Sequence, residues 1–423
     1  MKLLRAVAIS AVAGMVLAAC GGSSGSSAPA PGVTANQILI GSHQPLTGPA
    51  APGYSEIAPA ADALFQYVNA KGGVDGRSIK YSYKDDGYNP TQTATVVRQM
   101  VLQDNVFAIF NGLGTPTHEQ VEPFLNQEKV PDLFVASGCT CWNQPSKYPY
   151  TTGYQPNYTI EGRILGQYIH QNFAGQKVGY LLQNDDVGQG GEQGLDSVIP
   201  AADVASKQKY EVSAIAGGLG TQMAAMQSAG VKVVVGFSIP AASALALLAA
   251  AQIGYHPQFV LSSIDADVTT LGGLLQSFSK GKAGSSLLEG VLTAGYLPSP
   301  SDASNPWVQL FKKIHDQYDA KNPFDSNTIY GMSVAYNFVQ VVQKVGKSLT
   351  RARLVSAIAG ASLAGPGVVP LTFTSSDHRG YEAEQMAKFA NGQLTAFGPV
   401  YKALETGNIT QSPLSVTPPP ANF

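Results

Sequence analysis

Two loop sequences carry residue types that could hold an anion. Asn111-Gly112-Leu113-Gly114-Thr115-Pro116-Thr117 follows the apolar run Val106 to Phe110, and Ser137-Gly138-Cys139-Thr140-Cys141-Trp142 follows Leu133 to Ala136. Each loop joins glycine, which bares the backbone, to hydroxyls that donate or accept. A helix opening near Pro116 would add unpaired N–H groups and the positive end of its dipole, a setting suited to a carboxylate. The same residues also suit ordinary turns. Asp85-Asp86 has the makings of an acid and a base, although closing a strand and capping a turn is the simpler role. Asp185-Asp186 fits loop hydrogen bonding and ligand contact equally.

Other reactive residue types suggest no catalytic centre. His43, His118 and His170 lack metal-ligand spacing, and His315 and His378 read as surface residues. Cys139 and Cys141 form a C-x-C without the second half of a zinc site. A disulfide across one residue is strained, yet exported thiol pairs are commonly oxidised, so both states stay open. Trp142 is expected to form a cleft wall, since a large aromatic surface suits an apolar ligand. No nucleophile with a base stands at a strand end, and no Gly-x-Ser-x-Gly elbow is present. No GxGxxG follows a strand, so a dinucleotide site is unsupported. No enzyme activity, cofactor or metal is expected.

The third cysteine has a different setting. Lys2 and Arg5 precede an apolar stretch, Ala6 to Leu17, and Ala18-Ala19 leads to Cys20. Those are the parts of an export signal, and the stretch is too short to span a bilayer. With cysteine after the small pair it resembles a bacterial lipobox, which implies cleavage before Cys20 and a diacylglyceryl group on its sulfur. Acyl chains can hold a protein at a membrane without a spanning helix. Residues 1–19 are thus expected to be a lipoprotein signal peptide, and the mature chain to work outside the cytoplasm, anchored through Cys20. Residues 20–35, rich in Gly, Ser and Pro, read as a flexible tether.

Composition narrows the class. A chain of 423 residues implies two or three domains, and 44% hydrophobic content can fill large cores. Two cysteines beyond Cys20 cannot make a disulfide scaffold. A net charge of -2 argues against nucleic acid and against polybasic lipid binding.

Alternating elements position the loops. Strands are expected at Ile38 to Ile40, Ile79 to Tyr83, Val106 to Phe110 and Leu133 to Ala136, with helices between them. Asn89-Pro90 supplies an N-cap and a first-turn proline. The rhythm returns after Asn157: strands Val178 to Leu182, Tyr210 to Ala214, Val231 to Gly236 and Phe259 to Ser262 alternate with helices, one running from about Gly190 into the Pro200 region. Alternation of this kind gives parallel sheets covered on both faces. Two rounds imply an α/β fold of two Rossmann-like, doubly wound lobes, whose ligands sit at the carboxyl ends of strands.

In order and spacing the chain resembles the extracytoplasmic solute-binding proteins of ABC importers, of the leucine/isoleucine/valine-binding type. The resemblance spans roughly residues 36–402. It rests on Ile40-Gly41, Pro45-Leu46-Thr47-Gly48-Pro49, Ala70-Lys71-Gly72-Gly73-Val74-Asp75-Gly76-Arg77, Asp85-Asp86 before Asn89-Pro90, the two loops, and Gln183-Asn184-Asp185-Asp186 with Gly188. It implies a three-crossing hinge with the ligand cleft between the lobes. Crossings are expected near Tyr154-Asn157, Leu288-Val291 and Gly365-Leu371. Lobe 1 is then 36–157 plus 289–367, lobe 2 is 158–288 plus 368–402, and 403–423 is a disordered tail.

The resemblance also implies a ligand set. Thr115, beside Gly114, matches a hydroxyl for a ligand carboxylate. Gly138 matches a carbonyl for a ligand ammonium, and Thr140 a hydroxyl reaching both groups. Tyr54 and Tyr296 match aromatic walls. On lobe 2 the closing segments lie near Asp186, Ser238 and Ser263. Two positions depart: Val187 stands where relatives often carry tyrosine, and Ser263 where amino-acid binders carry the glutamate that holds the ammonium. A buried ammonium needs an anion, so either Asp265 or Asp267 supplies it or the ligand is not an α-amino acid. The expected function is a lipid-anchored, monomeric receptor that closes on an amino-acid-like, carboxylate or amide solute and passes it to an ABC permease. The alternatives are a ligand sensor for a signalling partner and an extracytoplasmic enzyme.

Overall fold

The computed structural model describes residues 30–423; Cys20, its signal sequence and most of the expected tether lie outside the described residues. The first lobe is built on a five-stranded parallel sheet of β1 (Gln37–Gln44), β2 (Ser78–Asp85), β3 (Ile109–Phe110), β4 (Asp132–Val135) and β5 (Thr151–Gly153), in the order β2-β1-β3-β4-β5. In the second lobe β6 (Val178–Gln183), β7 (Val204–Tyr210), β8 (Val233–Phe237), β9 (Gln258–Leu261) and β10 (Leu292–Gly295) run parallel in the order β7-β6-β8-β9-β10. The short ribbon β11 (Ser362–Leu363) and β12 (Leu371–Thr372) stands apart. Three antiparallel strands, β13 (Ala383–Ala390), β14 (Gln393–Lys402) and β15 (Thr410–Ser412), extend the second sheet beyond β10. Both sheets reverse their winding, between β1 and β3 and between β6 and β8, and such switch points open a crevice at the strand ends.

Every residue of β4, β6 and β8 is buried, as strands covered by helices on both faces must be. In lobe 1, helices Ile57–Ala70 and Ser326–Val345 pack together over the sheet, and Phe65, Phe110 and Phe338 meet at ring separations of 5.1–5.9 Å. Edge-on aromatic pairs of this kind add to what area burial provides.

Four boundaries differ from the sequence reading. The strand expected at Tyr210 to Ala214 ends at Tyr210: β7 is half-exposed and carries Lys207 and Lys209, paired with Glu192 and Asp196, while 212–217 forms a 3-10 turn. A charged edge strand gives little apolar alternation to read. The helix expected from Gly190 starts at Asp186, capped by the Asp185 carboxylate. Its glycines allow close approach: a Cβ on Gly194 would lie 2.3 Å from the Thr159 carbonyl.

The crossings shift as well. The first is at Tyr154–Asn157. The second follows β10, because Leu292–Gly295 pairs with β9 and β13 and so belongs to lobe 2. The third falls at Gly380–Tyr381: Leu371 and Phe373 lie in the lobe 1 core, and His378 hydrogen-bonds Thr151 and Gly153 of β5. His378 and His315 are therefore buried rather than surface residues, His315 bonding the Asn322 carbonyl.

The tail is ordered. β15 joins the lobe 2 sheet, and the chain then returns to lobe 1, where Trp307 donates to the Thr417 carbonyl at 2.6 Å and the Phe423 ring packs on Tyr336. Its prolines exclude a sheet interior but not an extended strap over two apolar surfaces.

Candidate functional site

Loops after β3, β4, β6, β8, β9 and β10 converge on a cavity of about 130 Å3 between the lobes. Leu113, Ala136, Gln183, Ile239, Ser263 and Tyr296 represent one loop each. The lobes meet around it. Tyr54 Oη donates to the Ile264 carbonyl at 3.2 Å, Ser326 Oγ to the Ala266 carbonyl at 3.0 Å, and the Ser326 N–H to Asp267 at 3.0 Å. Gly53 permits this approach, with φ of +81° and a hypothetical Cβ 2.6 Å from Thr270 Oγ1 of lobe 2.

Five tyrosines line the cavity: Tyr54, Tyr88, Tyr158, Tyr296 and Tyr330. No lysine, arginine or histidine is among the lining residues. Burial raises the pKa of all five, so their hydroxyls stay neutral donors and acceptors. The one lining carboxylate is Asp267. Its two oxygens already accept from Thr270 N–H, which caps the helix Val268–Phe278, and from Ser326 N–H of the facing lobe. Gln155 and Asn327 add amide groups.

Of the residues singled out in the sequence as ligand contacts, Tyr54, Val187, Ser263 and Tyr296 line this cavity, and of the two candidate aspartates Asp267 does. The others are placed elsewhere, and their expected roles are corrected. Thr115 is buried, with Oγ1 2.6 Å from Ser137 Oγ, and it is Tyr158 that lies on the cavity wall. The Gly138 carbonyl accepts the Tyr158 N–H at 2.6 Å, so it is not free for an ammonium. Gly114 forms the N-cap of the helix Thr115–Glu119 and lies behind Leu113. Thr140 is exposed, on the short turn Thr140–Trp142. Trp142 is 1% exposed, packed edge-on against His118 and beside Val135, a core residue and not a wall.

Ser238 and Asp265 form a buried cluster inside lobe 2. Asp265 Oδ2 accepts from Ser243 at 2.7 Å and from Ser238 at 3.2 Å. Burial raises its carboxyl pKa well above the usual range, which disfavours the charged form an ammonium would need. Behind Ser263, Glu161 accepts from Ser262 Oγ and the Ser263 N–H; burial pushes it up to about 7, and the adjoining Glu384 is raised well above its ordinary value.

Asp186 lies at the edge of the cleft. Cys139 Sγ stands 3.9 Å from both Asp186 Oδ2 of lobe 2 and Glu119 Oε1 of lobe 1, and burial with the nearby Asp186 pushes Glu119 up to about 8. Cys139 and Cys141 are joined in a disulfide.

Beneath the lobe 1 loops runs a chain the sequence did not reveal: Asp86 to His43 at 2.8 Å, His43 to His118 at 2.8 Å, and His118 to Asp132 at 2.9 Å, all buried. Burial lowers the pKa of His43 against the opposing pull of the Asp86 hydrogen bond. Away from the cleft, this chain fixes the loops that bear Asp86, Gly112 and Thr115. Tyr88, Tyr158, Tyr330, Gln155 and Gln183 were also missed as lining residues. Gln183 and Gln155 had a signal, since each closes a strand or sits at a crossing.

A family model described as periplasmic binding protein matches residues 37–393. The chain belongs to the periplasmic binding protein family. That family consists of binding proteins and not of enzymes. A Leu/Ile/Val-binding protein homolog 2 of Brucella abortus is 29% identical over 170 residues, 38% of this chain and 42% of its own length. The match thus spans about two fifths of that relative. Two solved structures share the fold. A fatty acid ABC transporter substrate-binding protein from Thermomonospora curvata superposes with a TM-score of 0.77 and 21% identity, covering 92% of this chain and 98% of its own. A branched chain amino acid ABC transporter protein from Thermus thermophilus with bound valine gives 0.75 and 19%, covering 88% and 97%. Both are type I folds of two α/β lobes, as here. Among the described residues no helix is long and apolar enough to cross a membrane.

Proposed function

We propose that this periplasmic binding protein is the extracytoplasmic solute receptor of an ABC importer, held at the membrane through a lipid on Cys20. Its solute is largely apolar, neutral or weakly acidic, and is not a branched-chain amino acid. One observation supports this above the others: the inter-lobe cavity is walled by five tyrosines and aliphatic side chains, without a cation and with its one carboxylate already holding two backbone N–H groups. An α-amino acid would bury two charges there, and each costs several kcal/mol unless paired. Phenol, amide and serine groups suit a carbonyl, an amide or a single carboxyl group. Binding is coupled to closure, because the solute touches both lobes only when the cross-lobe bonds of Tyr54 and Ser326 form. The closed form is what a permease would recognise.

Calorimetric titration tests the reading. Leucine, isoleucine and valine are expected to show no binding below about 100 μM, while aromatic or aliphatic carboxylic acids or their amides bind at micromolar levels or tighter. Micromolar binding of any of the three amino acids would overturn the assignment of solute class.

A further inference from the structure

A second cavity of about 400 Å3 adjoins the first and shares five lining residues with it: Gly295, Leu297, Pro298, Ser299 and Leu394. It lies beside the second crossing. One wall is the antiparallel extension of the lobe 2 sheet, where Ala387 and Ala396 face each other across β13 and β14. The opposite wall carries Pro366 and Val368. The strap formed by the tail closes it, contributing Leu414 and Val416, and is pinned there by Ser415 N–H donating to the Val368 carbonyl at 2.9 Å. No lysine, arginine or histidine lines this space either, although Asp302, Asn305, Gln385 and Gln393 add polar groups to its wall.

We infer that this annex receives an extended apolar arm of the solute, whose polar or aromatic head lies among the tyrosines of the main cavity. The inference rests on the solute-receptor reading and specifies its ligand. Room is the first reason. The main cavity alone falls below the roughly 300–1,000 Å3 of small-molecule sites, and the two together fall within it. Continuity is the second, since Leu297, Pro298 and Leu394 form an apolar throat common to both spaces. Small side chains are the third. Paired alanines leave the space open in strand positions that favour bulky β-branched or aromatic residues. Leu414 would cover an arm lying there, and is 58% exposed without one.

Straight-chain carboxylic acids of four to sixteen carbons, and their primary amides, serve as probes in calorimetric titration of the full chain. Affinity is expected to rise about three- to fourfold for each methylene until the annex is filled. Ala396→Trp, on an exposed strand position, should abolish most of that rise and make long chains bind no better than short ones. Leu414→Asp, which places a charge in the annex wall without altering volume in the sheet, should weaken the long probes selectively. Binding of short and long probes with equal affinity, or a length dependence unchanged in both variants, would overturn the annex while leaving the receptor reading intact. Failure of every probe to bind, short or long, would sink both.

Discussion

Asp265 and Tyr158 exchange the roles their positions suggest. The aspartate sits in the segment expected to supply an anion, but its lobe buries it against two serines and so disfavours its charged form. The tyrosine, at the start of a helix after the first crossing, lies on the cavity wall where the Thr115 hydroxyl was expected. Because Asp265 lies off the cavity in a buried serine cluster, Asp265→Asn is expected to leave solute affinity within about twofold of the parent in calorimetric titration. A drop of tenfold or more would mean that the carboxylate reaches the solute after all. Asp267 differs, since one oxygen caps the helix Val268–Phe278, a contact worth about 1 kcal/mol, and the other takes the Ser326 N–H of the facing lobe.

Helix ends from opposite lobes bring carboxylates together on two sides of the cleft. Glu119, at the end of helix Thr115–Glu119, meets Asp186 at the start of helix Asp186–Asp196, with Asp185 close by. Glu56 and Asp325 of lobe 1 meet Asp267 of lobe 2, and Asp319 adds to the same field. Burial first, and then these neighbours, push Glu56 up to about 9 and Glu119 to about 8, while burial and Asp267 push Asp325 to about 6. Opening the lobes removes part of each cause, so the closed form binds more protons than the open one. A carboxyl raised on closure favours closure at low pH. That advantage is lost as pH climbs from the ordinary carboxyl range through about 8 to 9, and affinity is then flat. Solute affinity measured between pH 5.5 and 9.5 should fall with rising pH, and Glu119→Gln should flatten the curve. Affinity that is constant or rises over that range would contradict the shared-proton picture.

The whole molecule hinges on three crossings, and each contributes a tyrosine to one cluster. Tyr154, Tyr296 and Tyr381 meet in edge-on and tilted pairs at ring separations of 5.2–6.4 Å, and Tyr154 also meets Tyr330 of the cavity wall. The hinge is thus continuous with the site, so solute against Tyr296 or Tyr330 bears on the element that moves. The strap from β15 to Phe423 is a further link between lobes, tied to β14 at one end and to Tyr67 and Tyr336 at the other. At this scale the proposed anchor sets where closure happens. Cys20→Ala is expected to move the protein from the membrane fraction to the soluble extracytoplasmic fraction, with solute affinity unchanged. Retention in the membrane at parental levels would remove the lipid from the proposal.

Alternating apolar runs, the Asn89-Pro90 start signal and glycine loops at strand ends are local patterns, and they determined the two-lobed α/β architecture before any contact was known. The family resemblance, not spacing, pointed to Tyr54, Val187, Ser263 and Tyr296, which line the cavity. Whether a hydroxyl or carboxylate at a strand end faces the solute was decided only by tertiary structure. Thr115 and Gly138 found partners close at hand and Asp265 is buried among the serines of its own lobe, so none of the three lines the cavity. The missed tyrosines come from a crossing, a turn and a remote helix that share no sequence spacing. The ordered tail was hidden for the same reason. Its prolines read as loose chain, and only the folded lobes supply the Trp307, Tyr67 and Tyr336 surfaces on which it rests.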